Sequence, residues 1–275
     1  LMYFNDFRLG VLKNDLVFDV TPLVQNIPHT GPGNLMNGLI GNFSNFRAKL
    51  EKASNTGKGF PIAQVKIRPP LPKPVNIECM AVNYMEDGTL SEPALINAFH
   101  KSANCIIGHG ETMILPDIPA SVFEGEAELG LIIGKGGSFI PQSKAMEHIF
   151  GYVNFIDGSA RGVKPDGNTF YQMKSRATFA PLGPYIVTAD EIPDPQNLTV
   201  KTYLNDKDVC SAHTSEMLFS IKQFIAHLSR IFPLEPGDVL ATGSPPGPGM
   251  YHNPPILANI GDVMRIHIEK IGMIA

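Results

Sequence analysis

The chain has 275 residues, 22 basic and 26 acidic side chains for a net charge of −4, with 43% hydrophobic and 17% charged residues. That is a globular composition, long enough for one large domain or one and a half. It lacks the basic patch of a nucleic-acid binder, and its apolar runs are far too short for a membrane span.

Cys79, Cys105 and Cys210 are odd in number and widely spaced, neither a disulfide framework nor a zinc pattern. No charged-then-apolar leader opens the sequence, so the expected setting is a reducing, cytoplasmic one. The 26 glycines and 24 prolines predict many short strands with punctuated connections.

Residues 1–70 read as a small leading α+β module. Leu9 to Val20 predicts two strands around the turn Lys13-Asn14-Asp15. Residues 37–52 predict a helix ended by the polar cluster at 54–57. The proline-rich stretch 67–74 is the predicted joint, because prolines at that density disfavour helix and central strand alike. Beyond it, residues 71–275 form the second predicted domain. Strands are expected at 75–82, 127–133, 151–156, 185–187, 198–204, 239–241 and 263–268, with 93–99 either helix or strand. A helix is expected over 215–231, capped by Thr214, with Met217, Ile221, Phe224, Ile225 and Leu228 as its apolar stripe. Strands dominate and no regular strand–helix alternation appears, so a doubly wound sheet is not expected. The run from Gly243 to Gly249 is either a rigid pocket wall or a surface turn. Its prolines remove the amides a phosphate cradle needs.

Glu126 and Glu128 stand two apart at the start of an apolar run. On a strand they share a face, about 7 Å apart. Like charges against apolar surface are costly unless a cation neutralises them. Asp157 follows a second apolar run, 152–156. Three carboxylates without Cys or His suit a hard divalent ion, Mg²⁺ or Mn²⁺, more than Zn²⁺. The alternative is a solvated strand face plus a loop aspartate.

Four blocks then resemble the fumarylacetoacetate hydrolase superfamily, over about 200 residues from Leu71 onward. They are Glu126-Ala-Glu128-Leu, Gly151-Tyr-Val-Asn-Phe-Ile-Asp157 with Ser159-Ala-Arg161, Lys174-Ser175 with Ala180-Pro-Leu-Gly-Pro184, and Leu234-Glu-Pro-Gly-Asp238 with Thr242-Gly-Ser-Pro245. The resemblance implies a mixed β-sandwich roll behind a smaller variable domain. It also implies Mg²⁺ or Mn²⁺ on Glu126, Glu128 and Asp157, a small oxo-acid substrate, and a homodimer. Lys174 matches the family's active-site lysine; it would stabilise an oxyanion or, with a lowered pKa, move protons. Arg161 would clamp a substrate carboxylate or brace the acids. Thr242, Tyr84, Lys164 and Gly243 are the further substrate-binding candidates. Lys101 matches a family lysine for which a structural role is at least as well motivated.

The implied reaction is hydrolysis of a C–C bond in a 2-oxo or 1,3-dicarbonyl acid through a metal-stabilised enolate. One departure weakens it. Hydrolytic members often carry a lid histidine after an Asn-Tyr pair, with a glutamate nearby. Here Asn83-Tyr84-Met85-Glu86-Asp87 puts Asp87 in its place, which leaves Glu86 and Asp87 as the catalytic candidates. Isomerisation, decarboxylation or hydration of a related acid therefore competes with hydrolysis, as does a metabolite binder without catalysis.

Overall fold

The structure is a computed structural model and describes residues 1–85, 95–164, 169–245 and 256–275. Glu86 and Asp87, and with them the short lid, lie outside the described residues.

The leading elements are β1 (Met2–Phe4), β2 (Arg8–Lys13), β3 (Leu16–Asp19), α1 (Pro32–Gly41), α2 (Phe43–Thr56), β4 (Phe60–Pro61) and β5 (Ile67–Arg68). Their strands form one sheet in the order β4-β3-β2-β1-β5. The expected hairpin is present, with Lys13 opposite Leu16. Asn14 and Asp15 have φ of 49° and 61°, the paired left-handed geometry that matches strand twist. The single helix expected over 37–52 is two. The chain turns at Asn42, φ −123°, whose side-chain amide donates to the Gly38 carbonyl, a local bond that competes with helix continuation.

There follow β6 (Ile77–Met80), β7 (Ala98–Lys101), β8 (Ile106–Ile107), β9 (Val122–Ile133), β10 (Ile149–Arg161), α3 (Thr169–Lys174) and β11 (Ala180–Thr188). Then come β12 (Thr199–Leu204), β13 (Lys207–His213), α4 (Ile221–Ile231), β14 (Val239–Ala241), β15 (Met264–Ile268) and β16 (Gly272–Ile274). A seven-stranded sheet runs β7-β6-β14-β9-β10-β11-β8 and a four-stranded sheet β13-β12-β15-β16. The larger sheet is mixed: β14 runs parallel to β6, and β11 parallel to β8. The fold is the expected strand-rich α+β class.

β9 and β10 are the longest strands and sit at the centre. One face of the pair packs through Ile132, Val153 and Phe155 into a core that runs on through Ile77 and Leu71 to Tyr3, Leu9 and Leu39 of the leading elements. The other face packs through Leu129, Leu131 and Tyr152 onto Val200, Ile266 and Phe224. Burial on both faces explains why 129–133 and 152–156 read as continuous apolar runs and not as alternating ones.

α4 begins six residues later than expected. Its cap is Ser220, in a capping box with Gln223. The amides of Leu218 and Phe219 are bound at 2.8 and 2.7 Å by the carbonyl and side-chain oxygens of Asn83, so they are not free to start a helix.

Gly151 lies where β10 meets β11, and a Cβ there would stand 2.3 Å from the Val187 carbonyl oxygen. Gly31 has open space and extended backbone, φ 169°. Gly151→Ala should cost about 1–3 kcal/mol of overpacking, lowering Tm by roughly 2–4 °C per kcal/mol. Gly31→Ala should shift it by about a degree or less. Thermal melts followed by circular dichroism check both.

Candidate metal centre

Strand register builds the site. β9 and β10 pair antiparallel with Glu126 directly opposite Asp157 and Glu128 opposite Phe155. Glu126 and Glu128 share a face by their two-residue spacing, and a cross-strand partner points to the same side. Asp157 is therefore inside β10 and not in a loop after it. One carboxylate oxygen from each of the three lies within 4.8 Å of the others. Side-chain exposure is 16% for Glu126 and 1% for Asp157, so the site opens on the Glu126 side.

The donors that hold the acids come from several elements. Lys174, at the end of α3, donates to Glu126 Oε2 at 2.5 Å and Asp157 Oδ2 at 2.7 Å. Lys101, the last residue of β7 and fully buried, donates to Asp157 Oδ1 at 2.5 Å and to the Gly158 carbonyl at 3.0 Å. The Gly243 amide donates to Glu128 Oε2 at 2.8 Å. Gly243 has φ +90°, and a Cβ would meet Asn83 Cβ at 2.7 Å, so this position requires glycine. Arg161 donates to Glu124 Oε2 at 2.8 Å and also pairs with Glu126.

Burial comes first in the electrostatics of Glu126, Glu128 and Asp157. It pushes Glu126 above the ordinary glutamate value, against the opposing pull of Lys174. Burial raises Glu128 further, reinforced by Asp157 and then Glu126. Asp157 is buried too, but Lys101 and Lys174 hold it below the usual range. Burial would lower Lys174, yet Asp157 and Glu126 hold it above the ordinary lysine range. With no metal bound, Lys174 is thus held as a cation between these two acids.

These residues fit a hard cation. Octahedral Mg²⁺ keeps its oxygens at 2.0–2.1 Å, so ligands stand at most about 4.2 Å apart. The three carboxylate oxygens lie within 4.8 Å of one another, close to that span. The donor set is all oxygen, as Mg²⁺ and Mn²⁺ prefer.

The other expected residues fall as follows. Tyr84 is buried, and burial together with Glu128 raises its hydroxyl pKa. The Thr242 hydroxyl, expected to face a substrate carboxylate, donates to the Leu129 carbonyl at 3.0 Å and so fixes β14 to β9. Arg161 braces the acids, one of its two expected roles. Lys164 is exposed, at the edge of the described residues. Cys210 was no site candidate; its thiol is raised to about 11, first by burial and then by Asp208 and Glu216, which suits no nucleophile. Glu124 was not singled out in the sequence. Its signal was the extended spacing 124, 126, 128, which puts a third glutamate on the same strand face, with Arg161 between it and Glu126.

Because the folded protein holds Glu128 above its unfolded value, the stability this group contributes is complete below the ordinary glutamate pKa and is lost as pH rises through the raised one. Metal-free Glu128→Gln, neutral throughout, should therefore melt above the metal-free wild type at about pH 8, with the gap closing towards about pH 5. Millimolar Mg²⁺ or Mn²⁺ should reverse the order, since only the wild type gains. Thermal melts across pH, with and without metal, check this.

The sequence profile described as "Fumarylacetoacetate (FAA) hydrolase C-terminal" matches residues 76–275. A mitochondrial oxaloacetate tautomerase of Xenopus laevis is 35% identical over 218 residues, 78% of this chain and 68% of the relative. A maleylpyruvate hydrolase from Sphingobium sp. SYK-6, solved with manganese(II) and pyruvate, superposes with a TM-score of 0.86 at 32% identity, covering 100% of this chain and 96% of that one. A 5-carboxymethyl-2-hydroxymuconate delta-isomerase from Mycobacterium smegmatis gives 0.69 at 30% identity over 80% and 82%. No helix among the described residues is long and apolar enough to cross a membrane. The mitochondrial relatives lend the cytoplasmic expectation no support. With the match spanning every residue of the carboxylate site, this chain belongs to the fumarylacetoacetate hydrolase family, whose members similar to it include a hydrolase, an isomerase and a tautomerase.

Proposed function

We propose that this protein is a Mg²⁺- or Mn²⁺-dependent enzyme that moves a proton beside the oxo group of a small 2-oxo acid, by keto–enol tautomerisation or a double-bond shift. The observation that carries the reading is the convergence of Glu126, Glu128 and Asp157 between two buried lysines, with no histidine among the described residues bonded to the acids. Proton transfer needs no activated water. The tautomerase and isomerase relatives support it, and the manganese–pyruvate complex supports both the ion and the 2-oxo acid class.

Glu126, Glu128 and Asp157 would hold the ion, which as a Lewis acid would polarise the substrate's oxo group. Among the described residues around it, four carboxylates (Glu124, Glu126, Glu128, Asp157) face three cations (Lys101, Arg161, Lys174). The balance of these seven groups, one negative charge, would become one positive with a dication, favourable for an anionic acid. Lys174 would set its fixed positive charge beside developing oxyanion charge. Arg161 would keep Glu126 in place, and Gly243 Glu128. Glu86 and Asp87 remain the sequence's candidates for the proton carrier. A homodimer belongs to the same proposal, and light scattering checks it.

Hydrolysis of a C–C bond is the second reading. It is favoured by the likeness to the maleylpyruvate hydrolase over 96% of that chain, leading elements included.

Oxaloacetate and a panel of acylpyruvates, followed by NMR in D₂O and mass spectrometry in ¹⁸O-labelled water, separate the two. We expect Mn²⁺-dependent ketonisation and deuterium exchange at C3, abolished by chelator and by Glu126→Ala, and at least tenfold slower in Asp87→Asn. Comparable ¹⁸O-labelled cleavage of an acylpyruvate would make hydrolysis the function. Turnover that persists in excess chelator would refute both.

A further inference from the structure

β7 turns two residues inward, not one. Phe99 and Lys101 are two apart on that strand, with His100 turned outward onto Glu78. Lys101 reaches Asp157 directly. Phe99 is buried, and the Lys174 ammonium stands over its ring, 5.4 Å from the centroid. Phe170, one helical turn before Lys174 on α3, stacks on the same ring with centroids 4.6 Å apart and planes 4° from parallel. The Phe99 ring is thus the surface on which α3 docks, and the ammonium that bridges Glu126 and Asp157 lies over it.

We propose that Phe99 is a positioning residue for Lys174. Its π face fixes the ammonium over the carboxylate site by cation–π attraction, and Phe170 fixes the ring. The carboxylates alone would not define the position of Lys174. They hold only the end of a four-carbon stem, and their hold weakens wherever their charge is shared with another cation. The ring adds a contact beside the two carboxylate bonds, and it is uncharged, so its hold does not depend on the charge state of the carboxylates. This deepens the functional reading above and rests on it only for the kinetic part of the test.

Two measurements test it, one independent of activity. In protein labelled with ¹⁵N-lysine, the ammonium signal lost in Lys174→Met should be shifted upfield by the ring. It should move downfield in Phe99→Leu and stay in Phe99→Tyr. In steady-state kinetics with Mn²⁺, Phe99→Leu should lose kcat about tenfold, the size of a desolvated cation–π contact. KM and calorimetric Mn²⁺ affinity should hold within about twofold, and Phe99→Tyr should recover kcat. Phe170→Leu, on a half-exposed residue, should lose kcat by a smaller factor with little change in Tm, which covers the case of Phe99→Leu failing to fold. A Lys174 signal without the upfield shift, or one indifferent to Phe99→Leu, would overturn the proposal. So would kcat loss that Phe99→Tyr fails to recover. If the wild type turns over no 2-oxo acid while the lysine signal behaves as described, the functional reading falls and the positioning role stands.

Discussion

The structure turns on a problem of charge burial at one rung of a sheet. β10 lies beside β9 in the single register that sets Asp157 against Glu126, and Glu128 follows on the same face. Both strands are central and covered on both faces, so water cannot solvate these carboxylates as it would on an open sheet. Unpaired, each would cost several kcal/mol. Much of the surrounding architecture supplies what water cannot.

The compensating groups come from parts of the chain far apart in sequence. Lys101 arrives on an outer strand, Lys174 on a short helix, Arg161 from the end of β10, and a backbone amide from Gly243. Each placement has its own cause. β7 alternates, so Phe99 and Lys101 face inward together. Lys174 closes α3, where a cation also suits the helix dipole. Gly243 combines a left-handed φ with close contact to Asn83, and Asn83 is itself held between the Thr242 carbonyl and the turn before α4. The site is therefore a junction of strand, helix and loop, fixed by packing on both sides. Such fixed dipoles and charges need little reorganisation when charge develops, which is how preorganised sites act.

The same frame accommodates more than one reaction. A cation-binding carboxylate set with a fixed ammonium nearby can serve any chemistry that builds negative charge on a 2-oxo group, and the relatives divide among hydrolysis, isomerisation and tautomerisation. For this chain the sequence offers Glu86 and Asp87 as candidates for moving the proton. The carboxylate rung itself is built by the paired strands β9 and β10.

Much of this was legible in the sequence, for physical reasons. The two-residue spacing of Glu126 and Glu128 fixes a common strand face, whatever the partner strand. The apolar runs 129–133 and 152–156 announce doubly covered strands, and Asn14-Asp15 announces a turn. Other features depended on contacts between residues far apart. The register that opposes Asp157 to Glu126 follows from how whole strands pack, and a slip of one residue would have turned Asp157 away. The start of α4 was set by Asn83, more than 130 residues earlier, taking the amides of Leu218 and Phe219. The positions of Lys101 and Lys174 against the acids, the diversion of the Thr242 hydroxyl to Leu129, and the ring of Phe99 beneath an ammonium have no local signature. The sequence by itself determined which groups could carry charge and which faces they shared, because those follow from composition and period. Only the tertiary structure decided which charges meet, because that is settled by the packing of strands and helices contributed by distant parts of the chain.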